Sequence, residues 1–282
     1  MIRLIADSGS TKTDWLLTNE TGEELIFRTK GINPFFRTSE DIYKELKVDL
    51  LPYIEEKVDQ VFFYGAGIIN EERGEVVKKA LRKLFPDVPV ETYSDVLGAS
   101  RALFGSGTGI ACILGTGSNA CLFDGTKVIT GVPPLGFILG DECSGAVLGR
   151  KLLGDYFKNI MPTDIQTLFE KEYVLTEAQV LQQVYRVERP NKYLAGFTPF
   201  LSKYIEKDYC SELVSTSAKE FFERNILQIP NASGFSIGFI GSVAWNFRSI
   251  IEKTAAEYKF NKPLIIKEPI EKLREYHGRV GN

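Results

Sequence analysis

Ile2, Leu4 and Ile5 read as a buried strand, Asp7 to Thr13 ("DSGSTKT") as a tight polar turn, and Trp15, Leu16 and Leu17 as a second strand. Asn19 to Glu24 ("NETGEE") is a turn and "LIFRTKG" a third strand, so the chain begins as an antiparallel meander. Thr38 followed by Asp41 has the spacing of a capping box and opens a helix running through about Leu51. "QVFFYGAGI" is a buried strand, Glu71 to Leu84 a helix, "VPVETYS" a strand and Asp95 to Leu103 a helix.

The pattern then restarts. "GIACILGTGSNACLFDGTKVITG" is again strand, small polar turn, strand, Asp-Gly turn, strand. The repetition predicts an α/β protein with two related lobes facing one another across a cleft. Residues 1–114 form the first and 115–268 the second. The boundary near Ala111 to Thr116 lies inside a strand-rich region and so marks a hinge. From Gly145 to about Leu227 the pattern is mainly helical, with a helical insertion over about 155–210. "GFSIGFIGSVAWNF" returns to strand, turn and helix, and "KPLIIKE" is a last strand. Pro269 begins a closing helix, 269–282, that packs back on the first lobe.

Composition removes several function classes. Lys and Arg total 34 against 37 Asp and Glu, a net charge of -3 with both signs interspersed, which argues against nucleic acid as a partner. No stretch approaches the roughly 18 apolar residues of a membrane span. The short apolar run before Asp7 lacks the basic and hydrophobic regions of a signal peptide, so the expected location is the cytoplasm. The four cysteines form no C-x-x-C pair, and the single histidine, His277, lies in the polar tail "EYHGRVGN". Neither a zinc site nor a histidine-dependent hydrolase is expected.

The candidate chemistry lies in the turns. "DSGSTKT" has only one glycine and is followed by a strand, which excludes both the Walker A loop and the dinucleotide fingerprint. What remains is a hairpin whose turn presents amides, the hydroxyls of Ser8, Ser10, Thr11 and Thr13, and the charge of Lys12, all suited to phosphate. Asp7 at the strand end suits Mg²⁺, a hard cation that prefers oxygen ligands. Taken alone, the segment is better explained as a polar hairpin turn with Asp7 as a local cap.

"LGTGSN" repeats the arrangement in the second half. Gly115 and Gly117 allow close backbone approach, and Thr116 and Ser118 supply hydroxyls, so two hairpins could grip a triphosphate from opposite lobes. In "GFIGSVA", Gly241 and Ser242 stand between a strand and a helix, where a base or ribose could rest on bare backbone.

The succession "DSGSTKT", "YSDVLGA", "LGTGSNA", "LGDECSG" and "GFIGSVA" resembles the superfamily of sugar kinases, heat-shock proteins and actin. Within it, the chain is similar to the BadF/BadG/BcrA/BcrD ATPase family, and most so to N-acetylglucosamine kinases. The resemblance implies two ribonuclease-H-like (actin-like ATPase) lobes around a nucleotide cleft, with ATP and Mg²⁺ as cofactors. By motif match, Ser10, Thr11, Lys12, Gly115, Thr116 and Gly117 serve the phosphates, Gly241 and Ser242 the nucleoside, and Asp7 the metal. Asn33, Gly136 and Asp141 face an amino sugar. Asp95 is the catalytic carboxylate, accepting a proton from the sugar's C6 hydroxyl.

Each acid also has a purely structural reading. Asp95 suits a helix N-cap, and Asp141 with Glu142 suits a cap followed by a first-turn acid. Pro133, Pro134 and Leu135, with Cys143 where glycine is common, depart from the family pattern. N-acetylglucosamine, N-acetylmuramic acid and related amino sugars therefore all stay open as substrates. Cys143 keeps a second reading alive, an iron-sulfur ATPase activator of a CoA-ester dehydratase or reductase. Exposed helices in the second lobe suit a homodimer.

Overall fold

The computed structural model describes residues 1–9, 11–19 and 23–280. Ser10 and part of the expected turn at Asn19 to Glu24 lie outside the described residues. The chain divides into two compact units: residues 1–107, 125–127 and Glu268 onward form one, and residues 108–124 and 128–267 the other.

In the first unit, strands β1 (Arg3–Ser8), β2 (Lys12–Thr18) and β3 (Glu24–Lys30) form the expected meander. β4 (Gln60–Gly65) and β5 (Val90–Ser94) add in parallel beyond β1, giving the order β3-β2-β1-β4-β5. Helices α1 (Ser39–Asp49), α2 (Glu71–Leu84) and α3 (Asp95–Phe104) follow β3, β4 and β5. The α1 capping box forms as its spacing predicts: Asp41 N–H donates to Thr38 Oγ1 at 3.2 Å, and Thr38 N–H donates to the Asp41 carboxylate at 3.3 Å.

Strand alternation sends Leu4, Ala6, Trp15, Val61, Phe63 and Val90 to one face, where they pack with Ile42 and Leu46 of α1 and Val77 and Leu81 of α2. The opposite face carries Asp7, Tyr64 and Tyr93, neighbours at one level across β1, β4 and β5.

The second unit repeats the plan. β6 (Gly109–Leu114), β7 (Ser118–Phe123) and β8 (Val128–Gly131) form a meander, and β9 (Ile237–Ile240) and β10 (Leu264–Ile266) run parallel beyond β6. The order β8-β7-β6-β9-β10 matches that of the first sheet strand for strand. Between β8 and β9 the chain forms α4 (Gly136–Leu139), α5 (Gly145–Phe157), α6 (Thr163–Glu172), α7 (Glu177–Tyr185), α8 (Pro190–Ala195), α9 (Thr198–Lys203) and α10 (Asp208–Phe221). α11 (Ser242–Asn246) and α12 (Arg248–Glu257) separate β9 from β10. A core built from Ile110, Cys112, Leu114, Leu148, Phe221 and Phe239 joins sheet and helices.

The closing helix α13 (Ile270–Val280) packs on α3, β1 and β2 in the first unit. This places His277 differently from its sequence context. His277 is 6% exposed, its ring stacked on Phe62 with centroids 3.7 Å apart, so it is a core residue and not part of a polar tail. Burial first, then the charges of Arg101 and Arg3, lower its pKa to about 3 and keep the imidazole neutral.

Candidate active site

The first unit contributes the β1–β2 hairpin and the start of α3. Gly9 N–H donates to Lys12 O at 2.9 Å and closes the turn. Two of the hydroxyls expected to meet phosphate point inward instead. Ser8 Oγ and Thr13 Oγ1 lie 2.8 Å apart, Thr13 Oγ1–H donates to Lys30 O at 2.9 Å, and both residues are fully buried. They tie β1 and β2 to the end of β3, because a buried hydroxyl left without a partner is costly. Thr11 is exposed. The Lys12 ammonium lies 2.7 Å from Asp14 and 2.5 Å from Glu268. Arg28 joins the same network, 2.6 Å from Asp14 and 3.3 Å from Glu268.

Motif reading does not single out Asp14, yet this residue shapes the site. Once Gly9 and Lys12 close the turn, the register pairs Asp7 with Asp14 directly across β1 and β2. Burial, then the charges of Asp14 and Asp95, raise Asp7 from 3.8 to about 7. Such a carboxylate, pressed by two others, suits a divalent cation that would relieve the repulsion. No cluster of three or more His, Cys, Asp or Glu ligands occurs among the described residues. Mg²⁺ characteristically needs only one or two protein carboxylates, completing its shell with water and phosphate oxygens.

A proton held by Asp7 in the folded state and lost on unfolding links stability to pH. Between 3.8 and about 7 the native state binds more protons at this position, so its contribution to stability is complete at the acid end and falls as pH rises. His277 acts in the opposite sense between about 3 and 6.5, because the unfolded chain takes up the proton that the folded imidazole refuses. An Asp7→Asn variant isolates the first effect. Its melting temperature rises relative to the parent as pH increases from 4 to 7 in metal-free buffer; a pH-independent difference would show that Asp7 titrates normally.

Asp95 is the first residue of α3, but it is not the cap. Ser94 occupies that position, its Oγ accepting from Leu97 N–H at 3.2 Å. The Asp95 carboxylate is half-buried, accepts from Val96 N–H at 2.9 Å, and has its pKa raised by burial against the opposing pull of those amides. Asn33 sits in the loop after β3, where its side-chain oxygen accepts from Phe35 N–H at 2.9 Å. Gly67, at φ +82°, packs against it; a Cβ there would lie 2.2 Å from Asn33 Oδ1.

The second unit gathers the β6–β7 turn, the Asp141–Gly145 segment and Gly241. Gly145 N–H and Ala146 N–H, at the start of α5, donate to Gly115 O and Thr116 O at 2.8 and 3.1 Å. Asp141 adopts φ +53° and accepts from Ser118 N–H at 3.3 Å, with Gly117 packed against its carboxylate. Burial raises the Asp141 pKa. The expected cap and first-turn acid at 141 and 142 do not form. Ser144 caps α5, accepting from Val147 N–H at 3.2 Å, and Glu142 pairs instead with Arg224 at 2.6 Å and Asn225 at 3.0 Å. Gly241, at φ +124°, lies against Leu114 O, and Ser242 beside it is exposed. Gly136 starts α4 at φ +73°, one short helix before Asp141.

Cys143 is fully buried and its thiol is pushed up to about 12 by burial, so it is a core residue kept protonated.

Over 99% of both chains, the protein is 41% identical to a provisionally assigned N-acetylglucosamine kinase from Porphyromonas gingivalis, with a TM-score of 0.94. The chain belongs to the sugar kinase family. A second provisionally assigned N-acetylglucosamine kinase, from Chromobacterium violaceum, matches 98% of both chains at 14% identity and a TM-score of 0.75. A ROK family glucokinase from Streptomyces griseus, solved with glucose and AMPPNP, matches at 14% identity and a TM-score of 0.58 over 96% of this chain and 95% of that one. These two share the two-lobe, actin-like sugar kinase fold. No family model and no curated protein matches the chain. Among the described residues of this sugar kinase, no helix is long and apolar enough to cross a membrane.

Proposed function

We propose that this sugar kinase transfers the γ-phosphoryl group of ATP to the C6 hydroxyl of an N-acetylated amino sugar, of the N-acetylglucosamine or N-acetylmuramic acid type. The observation that carries this reading is Asp95, a half-buried carboxylate at the head of α3 that Ser94 relieves of capping duty. The similarity to the Porphyromonas protein supports the substrate class.

Phosphoryl transfer asks for in-line placement and charge neutralisation more than for covalent help. Asp95 accepts the proton of the attacking hydroxyl, and the upward shift of its pKa strengthens it as a base. Asp7 would hold Mg²⁺, directly or through water, and the ion would supply charge neutralisation at the phosphates. Thr11 and Lys12 of the first hairpin, and Gly115, Thr116 and Gly117 of the second, bind phosphate oxygens. Gly241 and Ser242 meet the nucleoside, and Asn33, Gly136 and Asp141 the sugar. A carboxylate that accepts sugar hydroxyls rejects analogues lacking them, because its own hydrogen bonds would go unmade. A homodimer belongs to the same proposal and is read directly by sedimentation velocity.

An ADP-release assay over N-acetylglucosamine, N-acetylmuramic acid, glucosamine and glucose tests the substrate. The expected result is highest kcat/KM for one of the two N-acetylated sugars. Release with none of the four overturns the assignment.

A further inference from the structure

Helix α3 carries the proposed base at its first residue, and a chain of polar groups used by no step above fixes where that helix lies. Its Gly98 rests on the ring of Tyr64, so closely that a Cβ would meet Tyr64 Cδ1 at 2.9 Å. One turn on, Arg101 Nη1–H donates to Tyr64 Oη at 2.8 Å, and Tyr64 Oη lies 2.9 Å from His277 Nε2. Arginine has no acceptor, so Arg101 donates to Tyr64; which way the Tyr64–His277 bond runs follows the tautomer of the neutral imidazole. The guanidinium is further held 4.4 Å from the centroid of the Tyr93 ring and 5.0 Å from that of Tyr276. The chain thus ties α3 to β4 and to α13. Tyr64 stands opposite Asp7 in the β1–β4 register, at the level of the proposed metal carboxylate.

We propose that Arg101, Tyr64 and His277 are positioning residues that set the rotation and height of α3, and so the place of the Asp95 carboxylate relative to Asp7. The proposal rests on the reading of Asp95 as the base. It predicts that a change remote from the reacting atoms alters turnover while leaving substrate binding in place.

Tyr64→Phe is the direct test, since it keeps the ring beneath Gly98 and deletes only the hydroxyl. With ATP and N-acetylglucosamine, kcat falls roughly ten- to a hundredfold, as a displacement of about an ångström costs, while KM for ATP stays within about twofold. The Asp95 carboxyl, followed by carbon NMR, titrates at a different pH in the variant. Arg101→Lys retains more turnover than Arg101→Leu. In an Asp95→Asn background, Tyr64→Phe causes no further loss of the residual rate. Unchanged turnover with an unchanged Asp95 titration overturns the proposal, as does an equal loss in the Asp95→Asn background. Parental turnover by Asp95→Asn alone would remove the base, and this proposal with it. A normal Tyr64→Phe enzyme beside an inactive Asp95→Asn removes the positioning chain only.

Discussion

Replacing Asp95 with Asn lowers turnover by about 10²–10⁴-fold, the usual contribution of a general base, and leaves ATP binding nearly intact. The substituted amide oxygen still accepts from Val96 N–H, and Ser94 still caps α3, so the fold is unaffected. If Asp95 only stabilised the helix through its negative charge in the first turn, the variant would instead lose about 0.3–1 kcal/mol of stability at unchanged kcat. Initial rates against both substrates, with a thermal melt, separate the two. Loss confined to kcat, with KM for ATP unmoved, marks an interaction made in the transition state. Parental turnover would refute the assignment.

Gly241→Ala is strongly destabilising. Its Cβ would lie 2.2 Å from Leu114 O and 2.8 Å from the carbonyl carbon, both backbone atoms of β6 that cannot swing aside. The residue also sits at φ +124°, where L side chains are strained. Strain of this kind costs on the order of 1–3 kcal/mol, and the clash adds to it. About 3 kcal/mol for a chain of this size lowers the melting temperature by roughly 6–12 °C. Gly115→Ala is the control, because a Cβ there meets nothing within 4 Å. That variant melts like the parent but raises KM for ATP, which would report close approach of the nucleotide to the bare backbone. A stable Gly241→Ala protein would mean that the β9–α11 corner is far less constrained than its geometry indicates.

Much of the architecture was legible in the chain. The strand-turn-strand patterns at residues 2–17 and 109–131, and the helices at Glu71 to Leu84 and Asp95 onward, declare themselves through short-range alternation and periodicity. The repeated pattern foretold two sheets of one plan, and both have the same strand order. The glycine turns were also legible, since a run of small polar residues between two apolar strands leaves the chain nothing to bury and so lets it reverse direction there.

The misassignments share a cause. In their structural readings Asp95 and Asp141 suited caps and Glu142 a first-turn acid, because each precedes a helical pattern, yet Ser94 and Ser144 hold the cap positions. A shift of one or three residues reverses the role of a carboxylate, and helix boundaries are the least legible feature of a pattern. Ser8 and Thr13 looked like phosphate ligands by residue type, while the pleat turned both inward. His277 looked like tail because its neighbours are polar, although one face of α13 is buried.

The sequence by itself determined which segments become strands, turns and helices, and therefore the duplicated α/β plan, because those choices depend on side chains a few positions apart. Only the tertiary structure decided the protonation of Asp7, the orientation of the Ser8 and Thr13 hydroxyls and the bonding of Tyr64 to Arg101 and His277. Each of these depends on burial and on groups brought together from distant points of the chain, as His277 is brought to Tyr64 across 213 positions. Local pattern carries no record of such distances.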